Sequence, residues 1–148
     1  MIRRMEPADT ERVSEIWLEA NREAHGFIPA SYWEENFQMV KEMLPLAEVY
    51  VWEDTGGIQG FVGLNGDYIE GIFVSGSRRS AGIGRQLVDH CKEIRSSLRL
   101  KVYEKNRRAA AFYLREGFQI TAEGVDEDTG ETEYEMGWRK GICSTNVR

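Results

Sequence analysis

The 148-residue sequence has few of the residues on which metal centres and disulfide frameworks depend. Its two cysteines, Cys91 and Cys143, form no CxxC pair, and two histidines, His25 and His90, are too few for a histidine-rich metal site. No run of about eighteen apolar residues is present, so we expect no transmembrane helix. The first residues lead into polar, acidic sequence, so we expect no secretory signal. A reducing compartment, the cytoplasm, is the predicted location.

Positive charge is also scarce overall, since 19 Lys and Arg face 25 Asp and Glu, for a net charge of −6. Its distribution is uneven, because residues 1–77 carry −9, residues 78–115 carry +8 and residues 116–148 carry −5. One basic block inside an acidic chain predicts a local site for an anion and argues against a nucleic-acid-binding surface. The acidic flanks favour cationic partners.

Short strands and amphipathic helices alternate along the chain, as is typical of one mixed domain. Apolar periodicity and turn residues predict the order β-α-α-β-β-β-α-β-α-β-β over residues 1–139, followed by a short tail at residues 140–148. A second core of ordinary size would not fit in this length. We therefore expect a single α+β domain built on one central sheet.

The most informative segment joins a predicted strand, Tyr68–Val74, to an amphipathic helix, and it reads Ser75-Gly76-Ser77-Arg78-Arg79-Ser80-Ala81-Gly82-Ile83-Gly84-Arg85. Glycines at a helix start let main-chain N–H groups approach a ligand, so phosphate is the expected ligand. A dinucleotide fingerprint would need glycine at Leu87, and a Walker A loop would need Gly-Lys-Ser/Thr. The remaining pattern is Arg/Gln-x-x-Gly-x-Gly/Ala, matched from Arg79 to Gly84.

A second motif is a helix opened by Asn106, with the pair Phe112-Tyr113 near its end and Gly117-Phe118 after it. The glycine loop, the strand after it and this helix, in this order and spacing, resemble the GNAT superfamily of N-acetyltransferases over nearly the whole chain. Residues 25–33 and 101–106 are similar, more narrowly, to its small bacterial YiaC/YjaB-type members. The resemblance implies a mostly antiparallel twisted sheet with two splayed parallel strands, flanked by about four helices.

The resemblance also implies that acetyl-CoA is the acetyl donor, held by main-chain N–H groups of the glycine loop. The implied cofactor-binding residues are Phe73, Val74, Arg79, Ser80, Ala81, Gly82, Ile83, Gly84, Arg85, Asn106, Ala109 and Phe112. The chain departs from the family at Gly76, where proline is usual, and at Ser80-Ala81, where Gly-Arg is usual. Neither change removes a main-chain donor, so we expect cofactor binding to survive.

Two residues are predicted to move protons. Tyr113 matches the family's general acid, and a phenol is suited to protonating a thiolate as it leaves; its helix face alone would make it a core aromatic. Glu70, the only carboxylate in its strand, is the candidate base, directly or through water. Strand alternation predicts that Glu70 shares a face with Tyr68 and Ile72. The alternatives for Glu70 are pairing with a substrate cation and a solvent-facing position.

The acceptor is less defined than the donor. Tyr68, His25 and Phe27 are predicted to line its pocket, and the acidic flanks favour a cationic amine: a protein lysine, a polyamine or an aminoglycoside. The resemblance favours protein lysine. A non-catalytic acyl-CoA-binding sensor and a nucleotide-binding module remain alternatives, and a homodimer is left open. Asp126–Gly130 would need glycine at position 131 to be a calcium loop, so it is predicted to be a hairpin turn.

Overall fold

The computed structural model describes residues 1–76 and 82–141, and the statements below refer to that part of the chain. Its elements are β1 (Ile2–Arg4), α1 (Thr10–Ala24), α2 (Ala30–Met43), β2 (Glu48–Asp54), β3 (Gly57–Asn65), β4 (Tyr68–Val74), α3 (Ile83–Ile94), β5 (Ser97–Tyr103), α4 (Arg107–Arg115), β6 (Gln119–Val125) and β7 (Thr132–Arg139). Single 3₁₀ turns lie at Pro7–Asp9 and Leu44–Leu46. The predicted order of strands and helices is confirmed. None of the described helices is long and apolar enough to cross a membrane.

The seven strands form one sheet in the order β1-β2-β3-β4-β5-β7-β6. All neighbours are antiparallel except β4 and β5, which are parallel and pair only at Tyr68 with Arg99 and at Ile69 with Leu100. Beyond these two pairs the strands diverge, so a gap opens between Val74 and Tyr103 at their carboxyl ends. The predicted fold, a mostly antiparallel sheet with two splayed parallel strands and four flanking helices, is confirmed.

The helices beside this gap begin and end where their sequences dictate. Asn106 precedes α4, and its side-chain Oδ1 accepts a hydrogen bond from the Ala109 N–H at 3.3 Å, as an N-cap should. The helix ends just before Gly117, whose φ of +96° is the left-handed conformation that glycine adopts most readily. The predicted start and stop of this helix are both confirmed.

Two apolar clusters fill the two sides of the sheet. One joins α3 and α4 to the inward residues of β5 and β7, including Leu87, Leu98 and Met136, and the other joins α1 to β2 and β3 through Val13, Ile16, Val51 and Phe61. On the α1 side, β5 and β7 instead carry charged residues, which alternate with those buried under α3 and α4; they are Arg99, Lys101, Glu133 and Glu135. This side of the sheet is therefore polar beside the gap.

Candidate active site

The gap between β4 and β5 widens into a cavity of about 750 Å³, lined by the end of β4, the start of α3, the end of α1 and much of α4. This volume is in the usual range of small-molecule sites. The predicted site residues that line it are His25, Phe73, Val74, Gly82, Ile83, Gly84, Arg85, Asn106, Ala109, Phe112 and Tyr113. Glu70, Tyr68 and Phe27 do not line it, and Arg79, Ser80 and Ala81 lie outside the described residues.

Glycine is required at Gly82 and at Gly84, at the start of α3, for two different structural reasons. Gly82 has a φ of +82°, a left-handed conformation that a side chain would strain. Gly84 has an ordinary backbone, but an added Cβ would lie 3.4 Å from the Phe112 ring of α4. Gly82 therefore sets the entry of the chain into the helix, and Gly84 lets α3 and α4 approach closely. Together they leave the amino end of α3 open to the cavity.

Positive charge dominates the cavity wall. The charged residues that line it are Arg85, Lys105, Arg107, Arg108 and Arg115, against Glu23 and Glu116. The Arg85 side chain is 72% exposed, and its Nε lies 4.0 Å from a Glu116 carboxylate oxygen. Part of the basic block of residues 78–115 therefore surrounds one cavity. A helix amino end ringed by cations suits a polyphosphate group.

Tyr113 belongs to the core and also lines the cavity. Tyr113 is 7% exposed, and its ring makes edge contacts with Phe112 and Phe118 at centroid distances of 5.3 and 5.7 Å. Burial raises the pKa of the Tyr113 hydroxyl, and the nearby Cys91 and Tyr68 add to the effect. The phenol therefore keeps its proton at neutral pH, as a proton donor must.

A hydrogen bond links the cap of α4 to the end of α1. Because Asn106 Oδ1 accepts from the Ala109 N–H, its Nδ2 is the donor that lies 3.1 Å from His25 Nε2. His25 Nε2 must then accept, so the imidazole is neutral. Burial lowers the pKa of His25 from 6.5 to about 4, which agrees with this hydrogen-bond direction.

His25 also forms the centre of an aromatic cluster that sequence reasoning only partly found. Its ring stacks on Trp33 at 5.3 Å and makes edge contacts with Tyr103 at 5.1 Å and Phe27 at 5.6 Å. The Tyr103 hydroxyl donates a hydrogen bond to the Asp126 carboxylate in the β6–β7 turn. Trp33, Tyr103 and Asp126 were missed as site residues. Trp33 and Tyr103 lie in the two family-like segments, residues 25–33 and 101–106, but no role was assigned to them, and Asp126 was seen only as part of an acidic turn.

The prediction that Glu70 shares a face with Tyr68 and Ile72 is wrong for Ile72, whereas Glu70 and Tyr68 both lie on the polar side of the sheet. The pairing of β4 passes from Gly71 to Ile69 on consecutive residues of β3, so Glu70 is the extra residue of a bulge. Ile69 and Ile72 consequently pack into the same apolar cluster, although strict alternation would place them on opposite faces. Glu70 is exposed, which agrees with the solvent-facing alternative.

Tyr68 lies at the start of β4, on the polar side of the sheet. It is half-buried, and the Arg99 guanidinium lies over its ring at 5.0 Å from the centroid. Burial raises the pKa of Tyr68, and the negative charge of Glu70 raises it further. Tyr68 and Glu70 are therefore electrostatic neighbours outside the large cavity. The structure brings this pair together outside the cavity that Tyr113 lines.

An α+β sheet that splays at its parallel strands, with a cation-rich cavity in the gap, defines the class of CoA-dependent acetyltransferases. Residues 45–120 match the family model described as an acetyltransferase (GNAT) domain. The chain is 32% identical over 140 residues to the peptidyl-lysine N-acetyltransferase YiaC of Escherichia coli (strain K12), covering 93% of this chain and 96% of that protein. The chain belongs to the GNAT acetyltransferase family, and it is an acetyl-CoA-dependent acyltransferase.

Other comparisons agree with this assignment. The peptidyl-lysine N-acetyltransferase YjaB of Escherichia coli (strain K12) is 30% identical over 131 residues, which are 88% of this chain and 89% of that protein. The solution structure of apo YjaB from Escherichia coli has a TM-score of 0.84, covering 93% of this chain and 96% of that one at 28% identity. The structure of YncA of Salmonella typhimurium with its cofactor acetyl-CoA has a TM-score of 0.66 at 16% identity. The match covers 97% of this chain and 95% of that one. It shares the fold.

Proposed function

We propose that this enzyme transfers the acetyl group of acetyl-CoA to the ε-amine of a lysine in a protein or peptide, by direct attack in a ternary complex. The observation that carries the proposal is the contrast in charge around His25. The large cavity on one side is lined mainly by cations, whereas Asp126, Asp128 and Glu131 lie in the turn on the other side. A polyanionic donor and a cationic acceptor would each meet the opposite charge. YiaC and YjaB, named as peptidyl-lysine N-acetyltransferases, support this acceptor class.

The proposed donor site uses the chain's main-chain groups and its cations. N–H groups at the start of α3, around Gly82 to Arg85, would hold the pyrophosphate together with Arg79, Ser80 and Ala81, which precede them in the sequence. Phe73 and Val74 at the open end of β4 would lie beside the pantetheine arm, with Asn106, Ala109 and Phe112 on the opposite wall. Acetyl-CoA supplies an activated acetyl thioester, and residues 1–139 would form the catalytic domain. The scarcity of cysteine keeps the cytoplasm as the proposed location.

The proposed chemistry forms one C–N bond and breaks one C–S bond. The amine must lose one proton, and the departing CoA thiolate must gain one. Tyr113 would donate that proton, since its hydroxyl is buried, protonated and on the cavity wall. Glu70 would accept the amine's proton through water, because it is exposed and lies outside the cavity. Tyr68, His25 and Phe27 would guide the acceptor between these two groups.

A substitution at Glu70 tests this base. Glu70→Gln should lower kcat/KM for the amine about tenfold and leave the Kd for acetyl-CoA unchanged, because a general base contributes to the chemical step. Glu19→Gln is the control, because Glu19 is an exposed carboxylate of α1. Glu53 would be unsuitable, since it forms an ion pair with Arg3. Unchanged kinetics in Glu70→Gln would assign the proton to bulk water.

The function itself is tested by measuring CoA release with an Nα-blocked lysine peptide, spermidine or an aminoglycoside as acceptor. The proposal predicts turnover with the peptide, with kcat/KM above that for either small amine. Binding of acetyl-CoA without turnover for any amine would support the acyl-CoA sensor. Thermal stabilisation by ATP or NAD in place of acetyl-CoA would support the nucleotide-binding module.

A further inference from the structure

We propose that a second, smaller cavity beside the acceptor end binds a positively charged side chain of the acceptor, an arginine or lysine a few residues from the acetylated lysine. This inference rests on the proposed function, since it assigns a sequence preference to the same acceptor. The smaller cavity has a volume of about 250 Å³ and is lined by the segment between α1 and α2, the first turns of α2 and the β6–β7 turn. It has room for one long side chain and not for a cofactor.

The wall of the smaller cavity combines aromatic rings and carboxylates. Phe27 and Tyr32 provide the rings, Glu35 and Asp128 provide the carboxylates, and none of the described lining residues is Lys, Arg or His. Aromatic faces attract cations, and carboxylates accept charge-assisted hydrogen bonds from ammonium and guanidinium groups. The combination therefore selects a cation with an aliphatic stem, as in lysine and arginine.

The turn that carries Asp128 is ordered by a hydrogen bond of its own before any ligand arrives. Asp126 Oδ1 accepts a hydrogen bond from the Asp128 N–H at 3.0 Å, which fixes the turn. On the other wall, the Tyr32 ring packs edge-on against Trp33 at 4.8 Å. Burial raises the pKa of Tyr32, and the nearby Asp128 carboxylate raises it further. Pre-organised groups lose little conformational entropy on binding. Tyr32 and Asp128 thus line the same cavity from the two segments that form it.

Phe27 connects the smaller cavity to the large one. Its ring lines the smaller cavity and contacts His25, which lines the large one, at a centroid distance of 5.6 Å. The Lys105 ammonium lies 5.7 Å from the Phe27 centroid and pairs with Glu131 at 3.1 Å, so this ring already has one cationic neighbour. Because one aromatic layer separates the cavities, an extended acceptor would reach both with side chains within about three residues of each other.

The test uses lysine peptides that carry either arginine or its neutral isostere citrulline at one position, scanned across three residues on each side of the target. At low ionic strength, at one of these positions the arginine peptide should have about tenfold higher kcat/KM than the citrulline peptide, mainly because its KM is lower. Added salt should reduce this difference in kcat/KM between the two peptides, because it screens the charges. The double variant Glu35→Gln/Asp128→Asn should abolish it.

The matched control is Glu19→Gln/Glu127→Gln, which removes the same charge from two exposed residues, one in α1 and one in the β6–β7 turn, and alters no residue that lines the smaller cavity. It should keep the preference for arginine. Equal rates for arginine and citrulline at all positions would overturn the inference while leaving lysine acetylation intact. Equal loss in both double variants would also overturn it, since only the general negative field would then matter. If no peptide is acetylated, the proposed function fails and the subsite with it.

Discussion

The large cavity and the smaller cavity beside it differ in how the chain builds them, although the His25–Phe27 contact connects their walls. The large cavity takes most of its described wall from two continuous segments, the start of α3 and the helix α4. The smaller cavity is assembled from the α1–α2 segment and the β6–β7 turn, which are about a hundred residues apart in sequence. The residues of the large cavity, our proposed donor side, are thus positioned by local backbone geometry. Those of the smaller cavity, our proposed acceptor side, are positioned by tertiary contacts.

This contrast has a consequence for substitutions. A change at the donor side acts through helix starts and caps, so it should alter acetyl-CoA binding or the chemical step. A change at the acceptor side acts through side-chain charge and aromatic faces, so it should alter which amine is used. His25 belongs to both sides, since it contacts Asn106 on one and Phe27 on the other. The following experiments separate the two sides.

The largest effect is expected at Tyr113. Tyr113→Phe keeps the ring in its contacts with Phe112 and Phe118 and removes only the hydroxyl, so kcat should fall by about 10²- to 10³-fold. The Kd for acetyl-CoA, measured by calorimetry, should stay within about twofold. An unchanged kcat would mean that Tyr113 is a core residue only and not the general acid.

Acidification tests the residue that the two sides share. His25 has a pKa of about 4 in the fold against 6.5 when exposed, so the unfolded chain binds its proton first as the pH falls. The free energy of unfolding should therefore drop by about 2–3 kcal/mol from this residue alone between pH 6.5 and pH 4. Urea unfolding of the wild type and of His25→Gln gives this contribution as the difference in their pH dependence. Parallel pH profiles would contradict a buried, neutral His25.

A backbone substitution tests the donor side separately. Gly82→Val places a β-branched residue at φ +82°, which should shift the N–H groups at the start of α3 and weaken acetyl-CoA binding about tenfold. Gly57→Val is the matched control, because Gly57 also has a positive φ and is the first residue of β3, outside the lining of either cavity. Both variants should lose about 1–2 kcal/mol of stability. Equal affinities in the two variants would show that α3 does not hold the donor.

The smallest effect is expected at the cap of α4. Asn106→Ala removes the acceptor for the Ala109 N–H and the donor to His25, so the free energy of unfolding should fall by about 1 kcal/mol. Asn106→Asp keeps the cap but not the amide donor. It should recover the cap stability while raising the pKa of His25, measured by NMR titration. If Asp and Ala behave alike in both measurements, the link between the cap and His25 is wrong.

The sequence predicts the donor side well because its signals are local. The bounds of β4, the glycines at the start of α3, the asparagine cap and the terminal Gly117 all follow from residues within one or two turns of the chain. The position of Glu70 could not be predicted in this way, because a bulge adds one residue without changing the apolar pattern around it. The insertion of β7 between β5 and β6 has no local signal either.

The acceptor side escapes sequence reasoning for a different reason. Tyr103 meets Asp126, and Tyr32 meets Asp128, only after the sheet has brought the β6–β7 turn next to α2. Each of these residues, taken alone, resembles an ordinary aromatic or an ordinary turn acid. His25 and Phe27 were singled out because they follow α1 in a family-like segment. Trp33 and Tyr103 also lie in such segments, but their role became visible only through their ring contacts with His25.

The most direct test of the central claim is a mass-spectrometric assay of a lysine peptide incubated with the enzyme and acetyl-CoA labelled in the acetyl group. The account predicts that one labelled acetyl group appears on the lysine ε-nitrogen for each CoA thiol released, and that Tyr113→Phe slows both equally. Tight acetyl-CoA binding with no labelled peptide, or thiol release without N-acetylation, would contradict it.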